Sequence, residues 1–243
     1  TIGRTMQGCT QPPGKYNGAM EFHIISIGTT RRNLLWGESA AMRTQHTTTT
    51  LIRVGDKSIL VDPSLPADLL EARLFERTGQ RYDSITDVFC TTLRPDSRRA
   101  LLGGEASPLA HANWWAGAAE IDWYTSRLAE MVASAERIDT LSAELQADIA
   151  ALKRIRPAEE HLAPGVSLYP LAGITPGCCG LLLAMPSATV LLTGPAAVSR
   201  QHIIDSMIAP DCIDKDAAME SLSEVLDIAD IIVPGYDNVT FAR

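Results

Sequence analysis

Residues 85–97 read ITDVFC-TTLRPDS and carry the clearest indication of the architecture of this chain. Residues 85–90 form a short, largely apolar run, which predicts a buried strand. Residues 91–97 are polar and place Arg94 two residues before Asp96. Because arginine and carboxylate groups can pair through two parallel hydrogen bonds, this spacing predicts a charged pair in the loop that follows the strand.

The polar heptapeptide resembles the T-H-x-H-x-D-H signature of the metallo-β-lactamase superfamily, which also directly follows a short apolar strand. Thr92, Arg94 and Ser97 occupy the positions of three metal-binding histidines in that signature. Only Asp96 keeps its identity. The resemblance therefore implies the fold of this family with an altered site.

Four further segments resemble landmarks of the same family, in the same order along the chain. Residues 47–66 resemble the opening hairpin, with Asp62-Pro63-Ser64 in place of its D-x-G turn. Residues 173–177 resemble the G-H-T-P-G loop, with Ile174 at the histidine. Residues 190–196 resemble the strand that ends in G-D-A, with Pro195 at the metal-bridging aspartate, and residues 231–237 resemble V-P-G-H-D, with Tyr236 at the last histidine.

The resemblance, which covers roughly residues 22–241, predicts an α/β (α+β) fold built as a four-layer αββα sandwich. We expect residues 21–243 to form a single domain and residues 1–20 to form a flexible tail. If the family geometry holds, one cleft is lined by Thr92, Arg94, Asp96, Ser97, Ile174, Pro195 and Tyr236.

The residue types at these positions argue against a metal. A zinc site needs three or four nitrogen, oxygen or sulfur ligands at about 2 Å. Hydroxyl groups are poor zinc ligands near neutral pH, isoleucine and proline donate nothing, and the permanently protonated guanidinium of Arg94 would repel a cation. One remaining carboxylate, Asp96, cannot hold a metal alone, so we predict neither a metal nor another cofactor.

Two functional interpretations remain open. In the first, the chain is a catalytically degenerate member of the fold, a pseudoenzyme with a binding, scaffolding or regulatory role. Arg94 then either stabilises the loop by offsetting Asp96 and Asp237, or builds a pocket for a small anionic ligand with Arg98 and Arg99, since arginine suits phosphate and carboxylate groups. The alternative is a hydrolase of an ester, thioester or phosphoester that works by a metal-independent or altered-metal mechanism. Asp96 or Tyr236 would be its acid or base, and Arg94 would stabilise the oxyanion.

Composition excludes several classes of partner. The 243 residues carry a net charge of −8, and no basic stripe is present, which argues against nucleic-acid binding. No apolar run reaches the roughly 18 residues needed to cross a bilayer. The first twenty residues have no hydrophobic signal-peptide core, so we expect a cytoplasmic location. The pair Arg31-Arg32 is interpreted as solvated surface. The five cysteines do not suggest a disulfide framework.

The main departure from a minimal family member is a predicted helical insertion around residues 113–156. Apolar residues recur there at steps of three or four, which indicates an amphipathic helix: Ile138, Leu141, Leu145, Ile149, Leu152 and Ile155. An aromatic cluster precedes them: Trp114, Trp115, Trp123 and Tyr124. The insertion either covers one flank of the sandwich or acts as a lid or homodimerisation arm. Two other helices are predicted. The helix over residues 66–78 places Leu69, Leu70, Leu74 and Phe75 on one face, and the helix over residues 217–229 directs Met219, Leu222, Val225, Leu226 and Ala229 toward the core.

Overall fold

The computed structural model describes residues 19–136 and 142–242, which form two six-stranded sheets and five α-helices. The strands are β1 (Glu21–Ser26), β2 (Thr49–Val54), β3 (Lys57–Val61), β4 (Asp87–Cys90), β5 (Asn113–Ala116), β6 (Ile155–Pro157), β7 (His161–Ala163), β8 (Val166–Pro170), β9 (Cys179–Met185), β10 (Ala188–Gly194), β11 (Ile231–Pro234) and β12 (Thr240–Phe241). The helices are α1 (Ala67–Thr78), α2 (Ala118–Glu136), α3 (Ala143–Leu152), α4 (Arg200–Ile204) and α5 (Lys215–Ile228).

Each sheet brings the ends of parallel strands to one edge. The first sheet has the order β1-β2-β3-β4-β5-β6, and its last four strands run parallel. The second sheet has the order β12-β11-β10-β9-β8-β7, and only β10 and β11 are parallel. The loops that follow β3, β4 and β5 therefore leave from one edge of the first sheet, and those that follow β10 and β11 leave from one edge of the second.

The two sheets pack face to face. The core between them takes Ile52 and Phe89 from the first sheet and Leu181, Leu192 and Val233 from the second. Because successive side chains of a strand point to opposite faces, their neighbours Leu51 and Val88 lie on the outer face of the first sheet.

Helices cover both outer faces. Leu70 and Leu74 of α1 pack on the first sheet together with Tyr124 of α2, and Leu222 and Val225 of α5 pack on the second sheet. The layers therefore follow the order helix, sheet, sheet, helix, which confirms the predicted αββα sandwich. The ends of α1 and α5 follow local signals, since Gly79 ends α1 in the left-handed region and the Asp214 side chain caps α5 by accepting from the amide of Ala217.

The predicted helical insertion is helical, but its boundaries are wrong. Residues 113–116 and 155–157 are strands β5 and β6, which extend the parallel part of the first sheet, so Ile155 belongs to a strand. Among the described residues between these strands, those of α2 and α3 form the α-helices. The predicted inward faces of two other helices are also wrong in part. Leu69, Phe75 and Met219 are more than two fifths exposed, because each lies one residue away from the buried stripe of its helix.

The four residues of the aromatic cluster are buried to different extents, and Trp115 and Trp123 are only partly buried. Trp114 and Tyr124 are buried, and the indole N–H of Trp114 donates to the carbonyl of Leu109 at 2.9 Å. These two rings are therefore core residues of the first sheet and are not available as surface anchors for a homodimer.

Several predictions fall on residues outside the described ranges. The flexible tail at residues 1–20 does so except for residues 19 and 20, and Cys9, Ile138 and Leu141 also lie outside them. Within the described ranges, no helix is both long enough and apolar enough to span a bilayer.

Candidate functional site

Asp96 is the centre of a polar network at the edge where the loops meet. Its Oδ2 atom accepts hydrogen bonds from the side-chain amide of Gln45 at 2.6 Å and from the phenol of Tyr236 at 2.8 Å. The side-chain amide of Gln45 also donates to the phenol oxygen of Tyr236 at 3.2 Å. The carboxylate is nearly buried, and these donors offset the cost of removing it from water.

Arg94 lies between two carboxylates, as an ion-pair bridge. Its Nε atom is 3.6 Å from Oδ1 of Asp96, and its Nη2 atom donates to Oδ2 of Asp211 at 2.6 Å. Burial alone would lower the pKa of the guanidinium, but the neighbouring acidic groups Tyr236, Asp96 and Asp211 raise it overall. Arg94 therefore keeps its positive charge in the loop.

The second partner of Arg94 is not the predicted one. Asp237 instead accepts from the backbone amides of Arg200 at 3.1 Å and Asn238 at 2.7 Å. Asp211 comes from the loop between α4 and α5, and sequence reasoning missed it because no local pattern connects residues 94 and 211.

Tyr236 is held as a protonated hydrogen-bond donor. Burial and the adjacent charge of Asp96 both raise the pKa of the phenol well above its usual value, and Arg94 lowers it less than these two raise it. A phenol with such a raised pKa does not ionise at neutral pH, so Tyr236 fits the role of a donor to Asp96 better than that of a general base.

Four of the seven predicted cleft residues lie behind the cleft wall. Thr92 and Ser97 are buried and share a hydrogen bond of 3.1 Å between their hydroxyl groups. Ile174 is buried in the core of the second sheet, and Pro195 is also buried. Of the seven, only Arg94, Asp96 and Tyr236 line the cavity that opens at this edge.

Two buried carboxylates hold the loop after β4 in place. Asp62 accepts from the amide of Thr91 at 2.8 Å and from its hydroxyl at 2.7 Å, and burial raises the pKa of Asp62 to about 7. Glu120 accepts from the amide of Leu93 at 2.8 Å and from the hydroxyl of Thr175 at 2.6 Å, and burial raises its pKa as well. Sequence reasoning missed Glu120, because its only local signal is an acidic residue in the first turn of a helix.

The backbone of Gly177, in the loop that resembles G-H-T-P-G, packs directly against the backbone of Glu120. A side-chain carbon on Gly177 would lie 1.9 Å from the backbone nitrogen of Glu120. Only glycine fits this contact, which explains why the loop needs Gly177 although Ile174 stands where the family has a histidine.

Arg98 does not belong to the anion pocket predicted for it. Its side chain is 0% exposed, and its Nη1 atom is 2.6 Å from Oδ1 of Asp148 in α3. Its Nε atom donates to the carbonyl of Leu93 at 2.7 Å, and its guanidinium lies 5.2 Å from the ring centre of Tyr124. Arg98 therefore joins the loop after β4 to the helices of the insertion.

The cavity next to Arg94 has a volume of about 630 Å³ and a cationic lining. Two acidic residues line it, Asp96 and Asp211, against five arginines, which gives an excess of three positive charges: Arg31, Arg32, Arg43, Arg94 and Arg99. Apolar walls complete it: Leu34, Pro95, Val198, Ala209 and Pro210. Arg31 and Arg32 are exposed, as interpreted from the sequence, and both also line this open cavity.

His202 also lines the cavity. Its Nδ1 atom is 2.7 Å from the hydroxyl of Ser199, which also caps α4. Burial lowers the pKa of the imidazole, although Asp205 raises it in part. His202 therefore presents a mostly neutral imidazole to the cavity at neutral pH.

Three of the cysteines are buried and unreactive. Burial raises the pKa of Cys90, of Cys178 and of Cys179, the last to about 12. Cys178 packs in the core outside the second sheet, and Cys179 packs between the sheets, so the two neighbours point to opposite faces. All three thiols stay protonated at neutral pH, and a thiol is a poor nucleophile in that form.

The residues at the site do not fit the dinuclear metal centre that the fold family implies. Across residues 19–136 and 142–242, no three or more His, Cys, Asp or Glu side chains are grouped to hold a metal ion. The guanidinium of Arg94 is paired to Asp96, the one carboxylate that the signature shares with the family. No reaction step of this chain is therefore derived through a metal.

Comparison with solved structures shows the metallo-β-lactamase fold. A metallo-beta-lactamase-like protein from Thermotoga maritima superposes with a TM-score of 0.65 at 18% identity, over 92% of this chain and 100% of that one. A hydrolase of the beta lactamase superfamily gives a TM-score of 0.65 at 15% identity, over 92% and 87%. A dizinc quorum-quenching lactonase gives 0.58 at 17% identity, over 86% and 80%.

The similarity of this chain to these solved structures is a similarity of fold. No model of a known protein family matches the sequence, and no curated protein matches it. At these identities the chemistry of the neighbours does not transfer to this chain, and function has to be argued from its own site.

Proposed function

We propose that this chain, which has the metallo-β-lactamase fold, is a metal-free binding protein whose cleft takes a small anionic ligand. The observation that carries the proposal is the lining of the cavity, where five arginines face two aspartates. One of these arginines, Arg94, puts a guanidinium where the family signature has a histidine, and its charge would repel a divalent cation.

The charge of the cavity supports an anionic ligand rather than a cationic or neutral one. The chain as a whole carries a net charge of −8, yet the lining carries an excess of positive charge. A cavity with low-dielectric walls focuses such a charge and raises the local concentration of the opposite ion. The volume of about 630 Å³ falls within the range of small-molecule sites, which is roughly 300–1,000 Å³.

One observation favours a second function, a hydrolase that needs no metal. His202 is a titratable group in the cavity wall with a pKa below its ordinary value, and Arg94 could stabilise an oxyanion. Asp96 and Tyr236, the acid and base named from the sequence, are less suited, because each already serves as partner to the other.

The first experiment measures metal content and anion binding on the same preparation of untagged full chain. Plasma mass spectrometry is expected to find far less than one zinc, iron or manganese per chain. Calorimetric titration is expected to show binding of at least one aryl anion, with benzoate, phenyl sulfate and phenyl phosphate as probes. One or more metal ions per chain, or no binding of any probe, would overturn the proposal.

A second experiment separates binding from catalysis. Turnover of p-nitrophenyl acetate and p-nitrophenyl phosphate is followed in the presence of chelator, with His202→Ala as the diagnostic variant and His23→Ala, far from the cavity, as its control. Turnover that survives chelator and is lost only in His202→Ala would establish the hydrolase.

Two structural expectations belong to the same proposal. We propose that residues 21–243 act as one domain, which the shared core between the sheets supports. Self-association through α2 and α3 also stays a proposal, which sedimentation of the full chain tests directly.

A further inference from the structure

The arginines of the cavity fall into two groups that differ in whether a carboxylate already neutralises them. Arg94 is paired with Asp96 and Asp211, and Arg43 makes two contacts with the carboxylate of Glu38. The charges of these two arginines are therefore largely satisfied within the chain.

Arg31, Arg32 and Arg99 form the second group. None of them has a carboxylate within 4.0 Å among the residues that the structure describes. The hydrogen bonds of their guanidinium groups are long and go to backbone carbonyls, from Arg32 to Ser39 at 3.4 Å and from Arg99 to Gln45 at 3.5 Å. Most of their N–H donors thus remain available to a ligand.

These three arginines belong to one end of the cavity. Gln45 accepts from the backbone amide of Arg31 through its side chain at 3.4 Å and from Arg99 through its carbonyl at 3.5 Å. The same Gln45 donates to Asp96, so this cationic end adjoins the Asp96 network. All three arginines line the same cavity, and none is neutralised by a carboxylate of the described residues, so a ligand with a double negative charge would gain more there than a singly charged one.

The rest of the lining is suited to a neutral body. Leu34, Val198 and Ala209 supply apolar surface, and His202 adds a neutral polar group. The hydroxyl of Ser199 accepts from the backbone amide of His202, so its own proton is free to donate to Nδ1 and the imidazole then carries its proton on Nε2. In that tautomer His202 offers the cavity a neutral N–H donor.

We infer that the ligand is a phosphate monoester of a small neutral molecule, whose phosphate dianion is bound by Arg31, Arg32 and Arg99. A phosphate monoester presents about two negative charges and three acceptor oxygens, which match several guanidinium forks, whereas a carboxylate presents one charge and two oxygens. This inference rests on the proposed anion-binding function and specifies the class of ligand.

The test is calorimetric titration of the full chain at low salt and a pH well above the second phosphate pKa of about 6. Phenyl phosphate and phenyl sulfate form a matched pair with the same ring and a similar tetrahedral anion but different charge. Phenyl phosphate is expected to bind at least tenfold more tightly than phenyl sulfate. Inorganic phosphate, which lacks the ring, is expected to bind more weakly than phenyl phosphate.

Arginine variants locate the site. Arg99→Ala is expected to weaken phenyl phosphate binding by about tenfold, and Arg31→Ala and Arg32→Ala by about threefold each, because exposed ion pairs contribute less than partly buried ones. Arg77→Ala, which removes an exposed arginine at the end of α1, is the control and should leave affinity unchanged. Thermal unfolding of each variant verifies that it is folded.

The outcomes separate this inference from the proposed function. Equal affinity for phenyl sulfate and phenyl phosphate, or for Arg99→Ala and the unaltered chain, would overturn the phosphate assignment and leave anion binding intact. Failure of every anion to bind would overturn both. A loss in Arg77→Ala as large as that in Arg99→Ala would show attraction to net charge only, and would also overturn the assigned site.

Discussion

Arg94 and Arg98 are four residues apart in the same loop, but their side chains lie in different environments. Arg98 is fully buried and paired with Asp148 of the insertion, whereas the side chain of Arg94 is 21% exposed and lies in the wall of the cavity. Both pairs are short, at 2.6 Å, but Asp148 is 13% exposed and Asp211 is 57% exposed. The two ion pairs therefore have the same length but differ in their exposure to water.

This difference in solvent exposure indicates that one arginine contributes to stability and the other to the properties of the cavity. A charge without water depends wholly on its protein partner, so losing either member leaves an uncompensated buried charge. A charge at a wet cavity wall is screened and contributes little to folding, but its field acts on whatever enters. Arg98 is thus part of the architecture, and Arg94 is part of the pocket.

The largest expected effect is that of Arg98→Ala on stability. We expect the free energy of unfolding to fall by about 3–5 kcal/mol, because the substitution leaves Asp148 unpaired and opens a cavity beside Tyr124. Urea denaturation measures it. Asp148→Asn, which keeps the shape but leaves the fully buried guanidinium of Arg98 without a counter-charge, is the companion variant and should cost a comparable amount. A loss below about 1 kcal/mol in Arg98→Ala would show that the buried pair is no more important than a surface one.

Arg94→Met is expected to separate binding from stability. Removal of the guanidinium leaves Asp96 and Asp211 as negative charges in the cavity, so affinity for phenyl phosphate should fall about tenfold, equivalent to about 1.4 kcal/mol. The unfolding free energy should change by less than that, since Gln45 and Tyr236 still donate to Asp96. Titration and denaturation of the same sample make the comparison. A stability loss equal to that of Arg98→Ala would erase the distinction between the two arginines.

Tyr236→Phe tests the network that supports Arg94. The variant removes one hydrogen bond to the nearly buried carboxylate of Asp96, and we expect a loss of about 1 kcal/mol in unfolding free energy. Tyr169→Phe, which removes an exposed phenol bonded to Glu224, is a matched control with little expected effect. If both variants lost the same stability, the hydrogen bond at Asp96 would have no special weight.

The smallest effect is expected from Asp211→Asn, and its sign is the informative part. Asp211 is mostly exposed, so its loss should change the unfolding free energy by less than about 1 kcal/mol. It should also tighten phenyl phosphate binding by about threefold, because one negative charge leaves the cavity wall. Titration at two salt concentrations verifies the electrostatic origin, since the gain should shrink at high salt. Weaker binding in this variant would mean that Asp211 positions Arg94 for the ligand.

The sequence predicted the fold because five segments resemble landmarks of one family and occur in the order of that family along the chain. The helices predicted over residues 66–78 and 217–229 followed instead from local periodicity, and α1 and α5 lie close to these ranges. The ends of the insertion were mispredicted because residues 113–116 form a strand that pairs with β4. The nearest residue of β4, Cys90, lies 23 residues earlier in the chain, and pairing over that distance leaves no periodic signal in the sequence.

The sequence by itself determined that the positions of a metal centre hold Thr92, Arg94, Ser97, Ile174, Pro195 and Tyr236, because ligand chemistry is a property of residue type. Which charged groups are in contact depends on the tertiary structure. Arg94 contacts Asp211, the buried Arg98 contacts Asp148, and Arg31, Arg32 and Arg99 line one cavity. The physical reason is that electrostatic energy depends on distance and solvent exposure, and chain folding sets both between residues far apart in sequence.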